Sequence, residues 1–372
     1  MAWTAVRTFP QLLLASLLWG FASTLPSLST QAAMTWIWGH DVAGWMQLNN
    51  AAFGVGSLLA PAIISLELRE RNSFHWSYWG IGVANVCVAF MPFPFPTPRP
   101  AAERAEPEPA LEPEAEPEQL VWRSASEGVW VDGEAVPLQG VLGKMLRAID
   151  VDTSSPEKWR PQLNMWLVFY PWFLVYVASE IGYSAWIAPF ATLQGLASEA
   201  DAALLTTVYY SAFAATRVLS APLSRVVSSR RMLWVSLLAS MLAMLFNMLV
   251  NVDAVGKETK VTVLWAGSAA FGGAQGPLWP AMMSVLTEEF GLQLRTTHTS
   301  LCLVMSKMGI AFEQLVLSSL LADSSTAQWF MPANFALLLI IAAAQALLFF
   351  WALPQSGLSK AERHAPDPAE TP

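Results

Sequence analysis

Residues 163–191 read LNMWLVFYPWFLVYVASEIGYSAWIAPFA, a nearly unbroken run of hydrocarbon and aromatic side chains with one carboxylate, Glu180, near its middle. At about 1.5 Å per residue, a helix of this length exceeds the roughly 30 Å hydrocarbon core of a bilayer and spans it with room for tilt or a bend. Pro171 marks the expected bend. On insertion scales a charged carboxylate at the centre of such a helix costs about 2.5–3.5 kcal/mol, so Glu180 calls for a partner, a proton or a water-filled cavity. Two accounts stay open: a carboxylate neutralised for structural reasons, and a functional acid.

Composition extends this reading to the whole chain. Of 372 residues, 54% are hydrophobic and only 13% charged, against about 25% charged in an ordinary soluble domain. A polytopic membrane protein follows. The formal charge of −8 is concentrated in one place, since residues 93–161 hold thirteen acidic and seven basic side chains, net −6. No basic patch suggests nucleic acid, and Cys87 and Cys302 both fall in apolar segments, which argues against a disulfide framework or a cysteine zinc site. His40 and His298 stand near expected membrane boundaries without the companions of a metal site or catalytic triad.

Apolar runs at 10–37, 46–66 and 76–90 predict three spans before the acidic segment. The first resembles a signal peptide in outline, but it is longer than a usual apolar core, and its pattern recurs later in the chain. Residues 101–118 alternate Glu, Pro and Ala and predict a solvated linker. Beyond it, Asp132 and Gly133 predict a short hairpin, and Leu138, Val141, Leu142, Met145 and Ile149 an amphipathic helix on the membrane face, with a partner-binding helix as the alternative. Six further spans are expected near 163–191, 203–227, 232–250, 261–286, 297–321 and 332–353. The fold class is therefore all-α, a polytopic helical membrane protein of about nine transmembrane helices, three plus six. Its expected parts are a helical region at 1–92, the linker at 93–161, a six-helix half at 162–354 and a disordered tail at 355–372.

An internal repeat orders these helices. GFASTLP (residues 20–26) aligns with FGGAQGP (271–277), and further along Gly54 aligns with Gly309. The three helices before the linker then correspond to the last three of the six after it, so the first half is expected to lack an opening triplet. This arrangement resembles the major facilitator superfamily, with its two six-helix halves built of three-helix repeats. WIWGHDVAGWMQLNNAAFGVGSLLAP, YVASEIGYSAWIAPFA, TRVLSAPLSRVVSSRRML and GGAQGPLWPAMMSVLTEEFG resemble the fourth-to-fifth, seventh, eighth-to-ninth and tenth helix regions of one branch. That branch contains sodium-dependent glucose transporter 1 and major facilitator domain-containing protein 4.

The resemblance implies membrane transport of a small polar solute, a hexose or polyol, coupled to sodium or protons by alternating access. The absent triplet supports an alternative, a transport-inactive scaffold or binding protein derived from a transporter. No cofactor is expected, and no nucleophile with a base or phosphate-binding loop supports an enzyme. The partners expected are the solute, the coupling ion and the bilayer. In the family, polar side chains near the midplane make the solute site, and Glu180 is the first candidate. Tyr176 and Tyr183 lie four and three residues away and near its face, with Trp186 less well aligned; for all three, packing is the competing account.

Arg217 lies within the next span, where an antiparallel neighbour would place it beside Glu180. In AFGGAQGPLWP, the glycines with Pro277 and Pro280 predict a broken helix, and Gln275 offers an amide either to a solute or to another helix. Arg225, Arg230 and Arg231 resemble the superfamily's basic helix-connecting motif, a gating loop, and predict a cytoplasmic loop on the same face as the central acidic segment. Lys307 and Glu313, six residues apart, do not share a helix face; Lys307 is read as snorkelling.

Overall fold

A computed structural model describes residues 42–71, 75–90, 156–224, 226–288 and 296–356, with single positions at 11, 30, 33, 34, 37 and 151. Apart from those single positions and residues 156–161, the expected first span and the central linker with its hairpin and amphipathic helix lie outside the described residues, as do Arg225 and all but the first two residues of the expected tail.

The described residues are helical, and six helices among them are long and apolar enough to cross a membrane. In chain order the longer helices, whether or not they are among those six, begin with α1 (Val42–Arg71), α2 (His75–Phe90), α3 (Pro156–Leu193), α4 (Glu199–Leu223) and α5 (Ser229–Asn247). Then follow α6 (Lys257–Gln275), α7 (Leu278–Glu288), α8 (Thr296–Leu320) and α9 (Phe330–Leu347), which continues through a π turn at Leu348–Ala352 to Gln355. Helix α3 runs unbroken through Pro171. The span expected at 261–286 is instead two helices, α6 and α7, separated at Gly276 and Pro277. That break is the one the glycines and prolines predicted.

Contacts at the helix ends define two faces. On one, Asn251 donates to the Gln328 carbonyl at 2.8 Å, and Gln194 donates to the Ser324 carbonyl at 3.3 Å. The end of α1 joins them there, with Arg69 paired to Asp201 at 2.5 Å and Ser65 donating to the Ala200 carbonyl at 2.9 Å. Glu67 caps α2 on this face, accepting from the backbone N–H groups of Trp76 at 2.9 Å and Ser77 at 2.7 Å. On the other face, Arg230 lies over the Phe349 ring at 4.7 Å, and Tyr170 hydrogen-bonds His298 at 2.7 Å. The end of α2 and the start of α3, which bound the central segment, belong to this second face, as does the loop before Arg230.

In lipid, helices associate without a hydrophobic drive, so small residues that admit close backbone approach are decisive. Gly54, on α1, faces Ala214 of α4, where an added Cβ would stand 2.8 Å from the alanine Cβ. Gly309, its partner in the repeat, seats α8 against the Leu174 carbonyl of α3, and Gly272 seats α6 against the Tyr209 carbonyl of α4. The aligned glycines thus do the same work at two helix contacts. Gly309→Leu is expected to force α8 off α3 and to cost about 1–3 kcal/mol, read as a lower unfolding temperature in detergent. Gly80→Leu, placed where nothing lies within 4 Å, is the control and should leave that temperature nearly unchanged.

Candidate functional site

On α4 the buried positions Ala202, Leu205, Tyr209, Phe213, Arg217 and Ser220 recur at helical spacing and form one inward stripe. Arg217 therefore sits on the apolar face of its helix, only 2% exposed, and Glu180 faces it from α3 at 5% exposed. Their closest approach, Nη2 to Oε2, is 4.0 Å. At that separation, and at the effective dielectric of a protein, the attraction is about 4 kcal/mol, whereas removing each ion from water costs several. The pair alone does not repay its burial.

The broken helix supplies further contacts. In a regular helix the Gly276 carbonyl would accept from the N–H of residue 280, but Pro280 has none. Arg217 Nε fills the vacancy, donating to that carbonyl at 2.8 Å, while its guanidinium lies 3.9 Å from the Phe213 ring centroid. Tyr176 donates to the preceding carbonyl, Gln275 O, at 3.2 Å, and its hydroxyl is within electrostatic reach of both Glu180 and Arg217. Gly276 also lets α6 approach α4 closely, since a Cβ there would meet Thr216 and the Phe213 carbonyl. Glu180, Arg217 and Tyr176 are in this way gathered at the α6–α7 break.

An aromatic wall adjoins them. Trp172 stacks on Tyr176 with centroids 5.0 Å apart, and Trp279, one residue beyond Leu278 at the start of α7, packs edge-on to Phe173 at 4.8 Å. Among the described residues, the indole N–H groups of Trp172 and Trp279 and both polar atoms of the Gln275 amide are buried without a hydrogen-bond partner. Buried polar groups are normally satisfied, so an unsatisfied set beside a charge pair is what a polar ligand site requires. Among the same residues, no group of three or more His, Cys, Asp or Glu side chains could hold a metal ion.

The chain matches the family model described as Major Facilitator Superfamily over residues 1–253 and 163–371. It belongs to the major facilitator superfamily. Within that superfamily it is an integral, multi-pass membrane protein of a class that moves small solutes. No curated protein and no solved structure matches the chain.

Of the residues singled out in the sequence of this superfamily member, Glu180, Tyr176, Arg217 and the Gln275 backbone come together. Tyr183 does not offer its hydroxyl to the same place, because it bonds Ser268 of α6 at 2.8 Å, among Tyr209, Phe271 and Phe330. Trp186 lies six residues from Glu180, about 240° around the axis, and so faces away from it. Arg230 begins α5 and packs its guanidinium on Phe349 and Phe350, and Arg231 beside it is exposed. Trp172 and Trp279 were missed. Their signal was present, since Trp172 is one turn before Tyr176 and Trp279 directly follows the break.

Proposed function

We propose that this protein carries a small uncharged polar solute, a hexose or polyol, across the bilayer by alternating access, coupled to a sodium ion or proton. The solute is taken at Glu180, Arg217 and Gln275. The carrying observation is the unsatisfied polar set at the α6–α7 break. The Gln275 amide and the indole N–H groups of Trp172 and Trp279 lack partners there; the Gln275 carbonyl accepts from Tyr176, and both indole rings lie against the Tyr176 ring. Ring hydroxyls can accept from the indoles and the amide and donate to the carboxylate, while C–H faces lie on Trp172 and Tyr176. A loosely spaced ion pair of little value to stability supports the same reading, because a solute can enter it at small cost. The likeness of YVASEIGYSAW to the sodium-dependent glucose transporter 1 branch adds the solute class.

Thermal unfolding of the full chain in detergent tests this, with glucose, galactose, sorbitol and, as a comparison, glycine. A bound solute at one hundred times its Kd stabilises by about 2.7 kcal/mol. A saturable rise with a hexose or polyol, absent in Gln275→Ala, is expected. Equal response of wild type and Gln275→Ala to every hexose and polyol would refute the assignment.

A further inference from the structure

Helix α8 packs on α3 through one stripe, Cys302, Ser306, Gly309, Glu313 and Leu317, all buried at helical spacing. A carboxylic acid therefore occupies a helix-contact position. Glu313 is 3% exposed, and neither of its carboxyl oxygens has a hydrogen-bond partner among the described residues. Its side chain lies directly over Gly182 of α3, at the place a Cβ would fill. Any larger residue at 182 would displace the carboxyl group.

The register of α3 supplies two more groups on this face. Ser179 stands three residues before Gly182 and Trp186 four residues after, so both lie within about 60° of its direction. The Ser179 hydroxyl and the Trp186 indole N–H are also buried and unpartnered. Glu180, two residues from Gly182, points about 200° away, and Tyr176 and Tyr183 share its side of the helix. This cluster is therefore distinct from the solute site, with the body of α3 between them.

We infer that Glu313, with Ser179 and Trp186, forms a proton-binding site at the α3–α8 interface, the ligand being the proton itself. Uncharged, the carboxyl fits an apolar helix contact against the Gly182 backbone. Charged, it would pay the cost of an unpaired ion in hydrocarbon unless donors turned to it. Ser179 and Trp186 are such donors. An indole nitrogen only donates, so it favours a carboxylate that has released its proton to water and opposes a metal cation in the same place.

The other titratable groups nearby do not substitute for this role. On α8, Lys307 is exposed, Cys302 lies about three turns away, and His298 at the helix start bonds Tyr170 of α3. On α3, Glu180 stands about 160° from the Gly182 direction, Tyr176 about 120° and Tyr183 about 100°, and the hydroxyls of Tyr176 and Tyr183 are bonded to Gln275 O and Ser268. On the transport reading, which this role rests on, the site carries the coupling proton.

Infrared difference spectra of the full chain in lipid, taken between acidic and alkaline buffer, read the site without any solute. The wild type should show a protonated-carboxyl C=O band that vanishes as pH rises. Glu313→Gln should remove that band and Glu180→Gln should keep it, while Ser179→Ala and Trp186→Phe should change its frequency. If Glu313→Gln fails to fold, Glu313→Asp, which retains the acid, should move the band. A wild type without the band, or a band indifferent to both Glu313 variants, overturns the site.

The coupling role is read separately, as uptake of labelled glucose into proteoliposomes with an imposed proton gradient. Glu313→Gln should lose the gradient's stimulation while retaining exchange. Stimulation intact in that variant overturns the coupling role. Absence of glucose uptake by the wild type would count against the transport reading and leave the infrared result to decide the proton site.

Discussion

Glu180→Gln is expected to reduce solute uptake at least a hundredfold while the protein reaches the membrane in normal amount. Gln keeps the size and hydrogen-bonding capacity of Glu but removes the charge. Arg217 keeps its bond to the Gly276 carbonyl and its place over Phe213, so the local fold has other supports. What is lost is the negative charge facing Arg217 and Tyr176. Two decades in rate correspond to about 2.7 kcal/mol of barrier, within the range for removing a charge-assisted hydrogen bond. Uptake rate normalised to membrane abundance is the measurement. Unchanged uptake with unchanged affinity would remove Glu180 from the site.

Arg217→Ala should act on stability instead. It leaves the Glu180 carboxylate buried without its cation and the Gly276 carbonyl without its donor, since Pro280 cannot replace it. Breaking a buried pair from one side costs about 3–5 kcal/mol, comparable with the whole stability of many proteins. Expression and unfolding temperature should both fall sharply. The double variant Glu180→Gln, Arg217→Met, which removes both charges and keeps side-chain volume, should recover most of the stability but no uptake. Equal instability of the single and double variants would show that the bond to Gly276, and not the lone carboxylate, carries the effect.

These expectations draw on features unevenly legible in the sequence. An acid inside an apolar run can be seen without coordinates, and antiparallel succession of spans brings Arg217 to it. The break in the 261–286 span was legible because Pro277 and Pro280 each remove a backbone donor. The far side of each helix was not. Spacing put Tyr183 near the face of Glu180, but nothing local revealed that Ser268, 85 positions away, would take its hydroxyl.

Glu313 was legible only as half of a pair with Lys307 that the spacing forbids. Its significance lies in its contact with Gly182, on a helix more than a hundred residues earlier. Periodicity tells which residues share a face; it does not tell what that face meets. The glycines that align in the repeat are the partial exception, because they mark close approach even when the partner is unknown, whereas Gly80 meets nothing within 4 Å. Gly54 and Gly309 show this at two separate contacts.

The central claim is that a polar solute is handled by Glu180, Arg217 and Gln275 at the α6–α7 break, with the Tyr176 hydroxyl beside them. Exchange of labelled for unlabelled glucose across proteoliposomes holding equal amounts of each protein tests it most directly, because exchange needs no driving gradient. The account predicts saturable exchange by the wild type, at least a hundredfold less by Glu180→Gln, and a raised half-saturation concentration for Tyr176→Phe. Saturable exchange at the wild-type rate and affinity in both variants would contradict it.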